Sequence, residues 1–202
     1  VVRRASMTIA VCRSLAEEAT AKGAQSVVLL RDISLFEIWD QGRIDGADGD
    51  GTDDLRAIVG AGRSDVLILY VGNLQPYQGI DLLIESFKLA RVGTRNAKLA
   101  VVGGNQHSIL YYSQKAKDVL GCNEIYFVGT RPIKQLPYYL SQADILVSPR
   151  TLGNNTPMKI YSYLHSGRAL LATNIESHLE VLDSEVAMLA PPETKEFSRA
   201  LS

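Results

Sequence analysis

Residues 65–87 read DVLILYVGNLQPYQGIDLLIESF. Within this stretch, Val66–Val71 is an unbroken apolar run of a strand's length, and such runs are typical of strands buried on both faces. From Ile80 to Phe87 the apolar residues recur at helical spacing. The stretch therefore predicts a buried strand, a connecting loop at Gly72–Gly79 and an amphipathic helix.

The same unit, an apolar run followed by a helical pattern, repeats to the end of the chain. Strand and helix in strict turn predict a doubly wound, Rossmann-like α/β domain, in which a parallel sheet of about six strands carries helices on both faces. The further predicted strands are Leu99–Val102, Ile125–Val128, Ile145–Val147, Ala169–Ala172 and Ala187–Ala190.

The first third of the chain follows a different pattern. Thr8–Val11 and Ser26–Leu30 predict two strands that flank a helix at Arg13–Lys22. The segment 41–52 is rich in Gly and Asp and lacks periodicity, so it predicts a loop. A short helix is expected at Asp53–Val59, directly before the first strand of the main domain.

Composition excludes several classes of function. The 202 residues carry a formal net charge of −1 and a pI near 6.3, which gives no general attraction to nucleic acid. No apolar run reaches the roughly 18–20 residues of a membrane span, and the start of the chain has no signal-peptide pattern. Cys12 and Cys122 lack metal spacing and fit a reducing compartment. We therefore expect a cytoplasmic protein without an integral membrane segment, and the missing initiator Met suggests a fragment.

Ligands of open parallel sheets bind outside the carboxyl ends of the strands. Three of these ends begin with Val followed by Gly, which lets the backbone turn sharply and a ligand approach closely. For any single glycine, a role in the turn alone is an equally good interpretation. The predicted ends are Gly72–Gly79, Gly103–His107, Gly129–Pro132, Ser148–Pro157 and Thr173–His178.

The exit after the fourth of these strands predicts an anion site. Thr156 is a good N-cap and Pro157 suits the first helical position, so we expect a helix to start at Pro157. A helix N-terminus attracts phosphate, and Lys159 in its first turn and Arg150 upstream would add two positive charges. Together they predict a diphosphate site. The alternative is that Lys159 extends into solvent.

Other ligand classes fit the sequence less well. Asp45, Asp48 and Asp50 superficially resemble a calcium loop, but Val59 stands where its Glu would be needed, so a solvated loop is favoured and no metal site is predicted. Gly72–Gly79 is not a Gly-x-Gly-x-x-Gly turn, which argues against a dinucleotide or flavin. His107, His165 and His178 have no metal-ligand spacing, although His107 and His178 fall in predicted strand-exit loops.

Segments of the chain, in order, resemble the C-terminal domain of retaining glycosyltransferases of the GT-B fold, the large family-four group. The resemblance covers roughly Asp65 to Leu201, and Ile9–Leu15 is similar to the end of the N-terminal domain of that family. The segments that carry it are VGNLQPYQGIDLLI (71–84), IYFVG (125–129), ADILVSP (143–149) and TPMKIYSYLHSG (156–167).

The resemblance implies an enzyme of glycan biosynthesis. It would move a hexosyl group, with retention, from a UDP- or GDP-sugar to an acceptor hydroxyl on a glycan, a lipid-linked sugar or a small molecule, without a cofactor. The implied catalytic residues are Lys159, Arg150 and Asn154. The implied substrate-binding residues are Gly72, Asn73, Gln78, Gly79, Gly104, Gly129, Thr130, Arg131, Asn155, Thr156, Pro157, Ser162 and Glu180.

The resemblance also divides the chain. Residues 1–33 would be the end of an N-terminal acceptor domain, 34–64 a linker with a short helix, and 65–202 a nucleotide-sugar-binding domain truncated at its C-terminus. The rest of the N-terminal domain would supply the acceptor site and further polar catalytic residues, so the isolated chain is expected to turn over poorly. An enzyme of this kind acts in the cytoplasm, or peripherally at a membrane surface when its acceptor is a lipid.

The chain departs from the family at four positions of the donor site. Asn73 and Gln78 stand where most members carry Arg and Lys, and Asn154 and Ser162 stand where most carry two Glu residues. Two interpretations follow. The chain belongs to a divergent branch with a rearranged donor site, or it is a non-catalytic nucleotide-sugar-binding module.

Overall fold

The computed structural model describes residues 1–34, 54–90, 96–121 and 124–202. Three short 3-10 helices at Val2–Arg4, Pro76–Gln78 and Ile133–Gln135 accompany the regular elements. The strands are β1 (Thr8–Ala10), β2 (Val27–Leu29), β3 (Val66–Val71), β4 (Ala97–Val102), β5 (Ile125–Gly129), β6 (Ile145–Ser148), β7 (Ala169–Thr173) and β8 (Met188–Ala190). The α-helices are α1 (Arg13–Ala21), α2 (Leu55–Val59), α3 (Ile80–Ala90), α4 (Gln106–Leu120), α5 (Leu136–Gln142), α6 (Lys159–His165), α7 (Glu176–Leu179) and α8 (Thr194–Leu201).

The main sheet confirms the predicted doubly wound fold. Its six strands run parallel in the order β5-β4-β3-β6-β7-β8. After β3 the chain adds β4 and then β5 on one side of that strand. It then crosses to the other side of β3, where β6, β7 and β8 follow in order. The strand order reverses between β3 and β6, and in doubly wound sheets the ligand crevice opens at this point.

The unbroken apolar strands are explained by a core on each face of the sheet. Along β3, Leu67 and Leu69 face one cluster, whereas Ile68 and Tyr70 face the other. Helices α3, α4 and α8 cover the Tyr70 face, and α2, α5 and α6 cover the opposite face. Successive strand residues point to opposite faces, so both positions must be apolar when both faces are covered.

The N-terminal segment forms a small parallel sheet of its own, in which Thr8 pairs with Val27. Two of its hydrogen bonds reach the main domain. The Cys12 thiol donates to the Asn154 carbonyl at 3.3 Å, and the Ser14 amide donates to the Glu180 carboxylate at 3.3 Å. The elements predicted in this segment are confirmed within two residues. The division into domains stays a prediction.

Two predictions fall partly or wholly outside the described residues. The segment 41–52, with Asp45, Asp48 and Asp50, lies outside them. The short helix expected at Asp53–Val59 is present as α2, and the Asp54 carboxylate caps it by accepting from the Arg56 amide at 2.8 Å. None of the described helices combines the length and the apolar character needed to cross a bilayer.

The predicted start of α6 was wrong. The helix begins at Lys159 rather than at Pro157, and the Thr156 hydroxyl is buried without a hydrogen-bond partner among the described residues. Pro157 instead forms a tight turn, in which its carbonyl accepts from the Ile160 amide at 3.0 Å. Because this bond spans three residues rather than the four of an α-helix, the regular helix starts only after the turn.

Candidate functional site

Two loops meet where the strand order reverses. The β3 loop (residues 72–79) follows β3, and the β6 loop (residues 149–158) connects β6 to α6. They are joined by a backbone hydrogen bond of 2.9 Å from the Thr151 amide to the Tyr77 carbonyl. Two of the five predicted strand exits therefore lie together at the predicted ligand edge.

Glycine is required in the β3 loop because other groups approach its backbone closely. Gly79 has φ +74°, and a Cβ there would lie 1.9 Å from the Pro149 carbonyl oxygen. A Cβ on Gly72 would lie 2.9 Å from both the Lys159 amine and the Tyr70 hydroxyl. Gly79 thus allows the two loops to touch, and Gly72 leaves room for the amine of Lys159.

Lys159 points into the junction of these loops, so the interpretation that it extends into solvent is wrong. Its Nζ donates to Gln78 Oε1 at 2.9 Å and lies 4.2 Å from the centre of the Tyr70 ring. The hydroxyl of Tyr70 in turn donates to the Asn73 carbonyl at 2.7 Å. Two residues where family members usually carry cations, Asn73 and Gln78, are therefore part of the surroundings of Lys159.

The charge of Lys159 is not neutralised within the described part of the chain. No described carboxylate forms an ion pair with Lys159 or Arg150. Burial, with a smaller contribution from the positive charge of Arg150, lowers the pKa of Lys159 to about 7. An amine enclosed in this way gains most from an anion, because a nearby negative charge restores the stability of its charged form.

Arg150 organises the β6 loop from the inside. Only 5% of the residue is exposed. Its Nε donates to the Leu152 carbonyl at 2.6 Å, and its Nη1 and Nη2 donate to the carbonyl and side chain of Asn155 at 2.8 and 3.1 Å. Burial lowers the pKa of Arg150 as well. Three of its five N–H donors are engaged by the loop, and its positive charge acts on Lys159 through space.

The other predicted residues of the β6 loop and α6 differ in exposure. Asn154 and Asn155 are exposed, and the carbonyl of Asn154 accepts from Cys12. Pro157 is buried. Ser162 is 1% exposed, and its hydroxyl has no hydrogen-bond partner among the described residues. The loop thus presents amide side chains at its tip and encloses hydroxyls at its base.

Further predicted substrate-binding residues lie on the same edge of the sheet, at the exits of β4 and β5. Gly104 follows β4, and Gly129 ends β5 with φ +81°. Thr130 is exposed, and Arg131 Nη1 donates to the carbonyls of Val128 and Thr130 at 2.8 and 3.1 Å. Since β4 is next to β3, these residues continue the edge away from Lys159.

Glu180 lies where the main domain meets the N-terminal segment. Its Oε1 accepts from the amide of Ser14, at the start of α1, and its Oε2 lies 3.9 Å from the guanidinium of Arg31. The structure thus gives this carboxylate partners in residues 1–34.

Sequence reasoning missed several polar residues at the ends of strands. The Tyr70 ring contacts the amine of Lys159, and the Tyr163 hydroxyl accepts from the Val71 amide at 2.8 Å. His178, predicted to lie in an exit loop, is wholly buried in α7. The available signal was a hydroxyl at or next to the last position of an otherwise apolar strand, as at Tyr70, Ser148 and Thr173.

The arrangement favours an anionic ligand. It combines two cations without a described carboxylate, at the edge where doubly wound sheets bind ligands. Among the described residues, no group of three or more His, Cys, Asp or Glu side chains could hold a metal ion. Phosphate groups have the charge and the hydrogen-bond acceptors that fit such a site.

Comparison with known proteins gives consistent matches. A family model described as Glycosyl transferases group 1 matches residues 65–202. Among curated proteins, the chain is similar to lipopolysaccharide 1,2-N-acetylglucosaminetransferase of Salmonella typhimurium, with 28% identity over 128 residues that cover 60% of this chain and 33% of that protein.

Solved structures confirm the fold. The chain is similar to HepE of Anabaena in complex with UDP-glucose, with a TM-score of 0.78 and 16% identity over 99% of this chain and 54% of that one. It is also similar to sucrose-phosphate synthase of Thermosynechococcus elongatus, with a TM-score of 0.74 and 18% identity over 99% of this chain and 49% of that one. The chain therefore spans about half the length of each solved structure, and about a third of the curated relative.

Proposed function

The chain belongs to the group 1 glycosyl transferases, and from this membership we propose that it is the part of such an enzyme that binds the nucleoside diphosphate sugar. The observation that carries the proposal is the amine of Lys159, which lies 2.9 Å from Gln78 Oε1 at the strand-order reversal, with Arg150 near it and no described carboxylate paired to either. A diphosphate would supply the missing negative charge.

UDP is the first nucleotide to consider. HepE of Anabaena, a protein of the same fold, was solved in complex with UDP-glucose. The exits of β4 and β5, with Gly104, Gly129, Thr130 and Arg131, would receive the base, and the amide tip of the β6 loop would receive the sugar. The acceptor would be a hydroxyl of a glycan, a lipid-linked sugar or a small molecule, brought by the rest of the enzyme.

Lys159 would act on the leaving group. When the bond between the sugar and the diphosphate breaks, negative charge grows on the departing phosphate oxygen. A fixed cation in a water-poor site stabilises that charge more than bulk water does, which is electrostatic catalysis. Arg150 adds to the positive potential through space, and the amide of Asn154 can hydrogen-bond sugar hydroxyls. We propose transfer of a hexosyl group with retention at the anomeric carbon.

Titration calorimetry with UDP, GDP and ADP tests the binding role. We expect one nucleotide to bind to the chain and Lys159→Met to weaken that binding at least about tenfold, because a charge-assisted hydrogen bond is lost. Lys117→Met removes the same charge from an exposed position on α4 and is the matched control. Equal affinities of the chain and Lys159→Met would contradict the proposal.

A second candidate function is a nucleotide-sugar-binding module without catalysis. It is favoured by Asn154 and Ser162, which are uncharged where relatives carry Glu, and by the buried hydroxyl of Ser162. The two candidates differ in turnover. Fusion of the chain to a matching N-terminal half should restore sugar transfer if the site is catalytic, and should give binding without transfer if it is not.

A further inference from the structure

A chain of four buried polar groups joins the carboxyl ends of β6 and β7. Ser148, the last residue of β6, lies 2.9 Å from His178 Nε2 through its hydroxyl. His178 Nδ1 lies 2.8 Å from the carbonyl of Thr173, the last residue of β7. The Thr173 hydroxyl donates to the carbonyl of Arg150. The contacts run from one strand end, through the imidazole, to the first part of the β6 loop.

The direction of each hydrogen bond follows from the chemistry of the partners. A carbonyl oxygen only accepts, so His178 Nδ1 must carry a proton, and in the neutral imidazole Nε2 accepts from the Ser148 hydroxyl. Likewise, the Thr173 hydroxyl uses its one proton on Arg150, and its oxygen can accept from Nδ1 at 3.1 Å. With the imidazole neutral, every hydrogen of these groups has a partner.

Ser148, Thr173 and His178 are all fully buried, so the pair of Ser148 and His178 is closed to a substrate and is no nucleophile. The neutral state of the imidazole is also favoured electrostatically. Burial and the charges of Lys159 and Arg150 lower the pKa of His178 to about 4, against the opposing effect of its bond to Thr173. The two cations that face it come from the β6 loop and α6.

The last of these polar groups is the backbone carbonyl of Arg150, and the side chain of the same residue shapes the β6 loop. The Arg150 carbonyl is held by Thr173, while its guanidinium holds Leu152 and Asn155. We propose that His178 is a positioning residue that, through Ser148 and Thr173, fixes the backbone of Arg150 and so the shape of the donor-binding loop. The inference rests on the proposed function for the loop's role, whereas the network itself can be tested without a nucleotide.

Three variants separate positioning from general stability. Thr173→Val keeps the shape of the side chain but removes the donor to Arg150, and Thr173→Ser keeps the donor. Ser86→Ala is the control, because the buried Ser86 hydroxyl bonds to Thr194 at 3.2 Å between α3 and α8. We expect Thr173→Val to weaken binding of UDP about tenfold, and Thr173→Ser and Ser86→Ala to leave it within about threefold.

Nuclear magnetic resonance of the chain without nucleotide supplies the second readout. In the wild type we expect a neutral His178 with its proton on Nδ1, and a slowly exchanging Arg150 Nε–H signal. Thr173→Val should shift that signal and speed its exchange, and Thr173→Ser should preserve it. An unchanged Arg150 signal in Thr173→Val would overturn the inference, as would His178 with its proton on Nε2.

The two proposals fail in different ways. If the wild type binds none of UDP, GDP and ADP, the proposed function fails, and the Arg150 signal in Thr173→Val still decides the inference. If the wild type binds UDP and Thr173→Val binds it equally well, the inference fails and the proposed function stands.

Discussion

Lys159 carries a charge that the described part of the chain leaves without a counter-ion. The ring of Tyr70 and the amide oxygen of Gln78 stabilise the amine only in part, because neither group carries a full negative charge. A buried cation without a counter-ion lowers the stability of the folded protein. Such a cation is retained most readily where a ligand supplies the negative charge. This is the physical reason for placing the diphosphate at Lys159.

The first prediction concerns the protonation of Lys159. Its pKa of about 7 in the free chain should rise when a diphosphate binds beside it. When the pH lies between the pKa of Lys159 in the free chain and its higher pKa in the complex, binding takes up a proton. The affinity for UDP should therefore fall as the pH rises above about 7. Calorimetry at pH 8 in buffers of different ionisation enthalpy should detect proton uptake.

Lys159→Met is the control, because it has no amine to titrate. Lys117→Met should take up protons as the unaltered chain does, since Lys117 is exposed on α4. Binding of UDP without proton uptake at pH 8 would show that the phosphates do not approach the amine of Lys159.

The second prediction concerns Gly79, where the two loops touch. Gly79→Ala should destabilise the protein by about 3 kcal/mol, because it adds a left-handed strain of about 1 kcal/mol to a clash with the Pro149 carbonyl. Gly60→Ala is the matched control. Its φ of +63° is similar, but nothing lies within 4 Å of its Cβ, so only the strain remains. Urea unfolding measures both changes, and equal losses would contradict the account.

At the residue scale, the sequence predicted Lys159 and Arg150 but not what surrounds them. A cation in the first turn of a helix is visible from spacing, whereas the contact between the Tyr70 ring and Lys159 joins residues that are far apart in sequence. The network of Ser148, Thr173 and His178 depends in the same way on the neighbouring of β6 and β7. Contacts of this kind follow from the strand order of the sheet and cannot be predicted from the local sequence pattern.

Among the elements, α1 is capped by a residue far away in sequence. Its N-cap, Cys12, makes no side-chain cap, and the Glu180 carboxylate accepts from the Ser14 amide instead. A carboxylate at a helix N-terminus also interacts favourably with the helix dipole. The N-terminal segment is thereby attached to the main domain next to α7.

The third prediction tests this attachment. Glu180→Ala should lower the stability of α1 by about 1 kcal/mol, because the helix loses its cap. Hydrogen exchange of the α1 amides should become faster, while amides of β3 and β4 keep their protection. Glu185→Ala removes an exposed carboxylate nearby and should change neither. Unaltered hydrogen exchange of the α1 amides in Glu180→Ala would show that the contact between Glu180 and Ser14 does not stabilise α1.

The strands of the main sheet were predictable, whereas α7 and α8 were not predicted and the start of α6 was misplaced. The strands of the main sheet were found within two residues because both faces are covered, which makes each strand continuously apolar. The start of α6 was misplaced because Thr156 and Pro157 have the right local chemistry for it. A tight turn from Pro157 to Ile160, closed by a hydrogen bond between residues three apart, precedes the regular helix instead.

At the scale of the whole molecule, the position of the site follows from the strand order. β3 and β6 are neighbours although β4 and β5 lie between them in sequence, so their exits form one crevice. The family model covers residues 65–202, and the same fold occurs in proteins about twice as long. The site is therefore expected to be one wall of a larger active site.

The fourth prediction concerns activity. The chain alone should bind UDP but transfer sugar poorly or not at all, because the acceptor and further polar groups are proposed to come from an N-terminal domain. Product formation from UDP-glucose measured with and without a fused N-terminal half tests this. Appreciable transfer by the isolated chain would contradict the division of roles.

A crystal structure of the chain with UDP tests the central claim most directly. We predict that the diphosphate lies between the β3 and β6 loops and that a phosphate oxygen replaces Gln78 as the partner of the Lys159 amine. Nucleotide bound elsewhere, with Lys159 still donating to Gln78, would contradict the account.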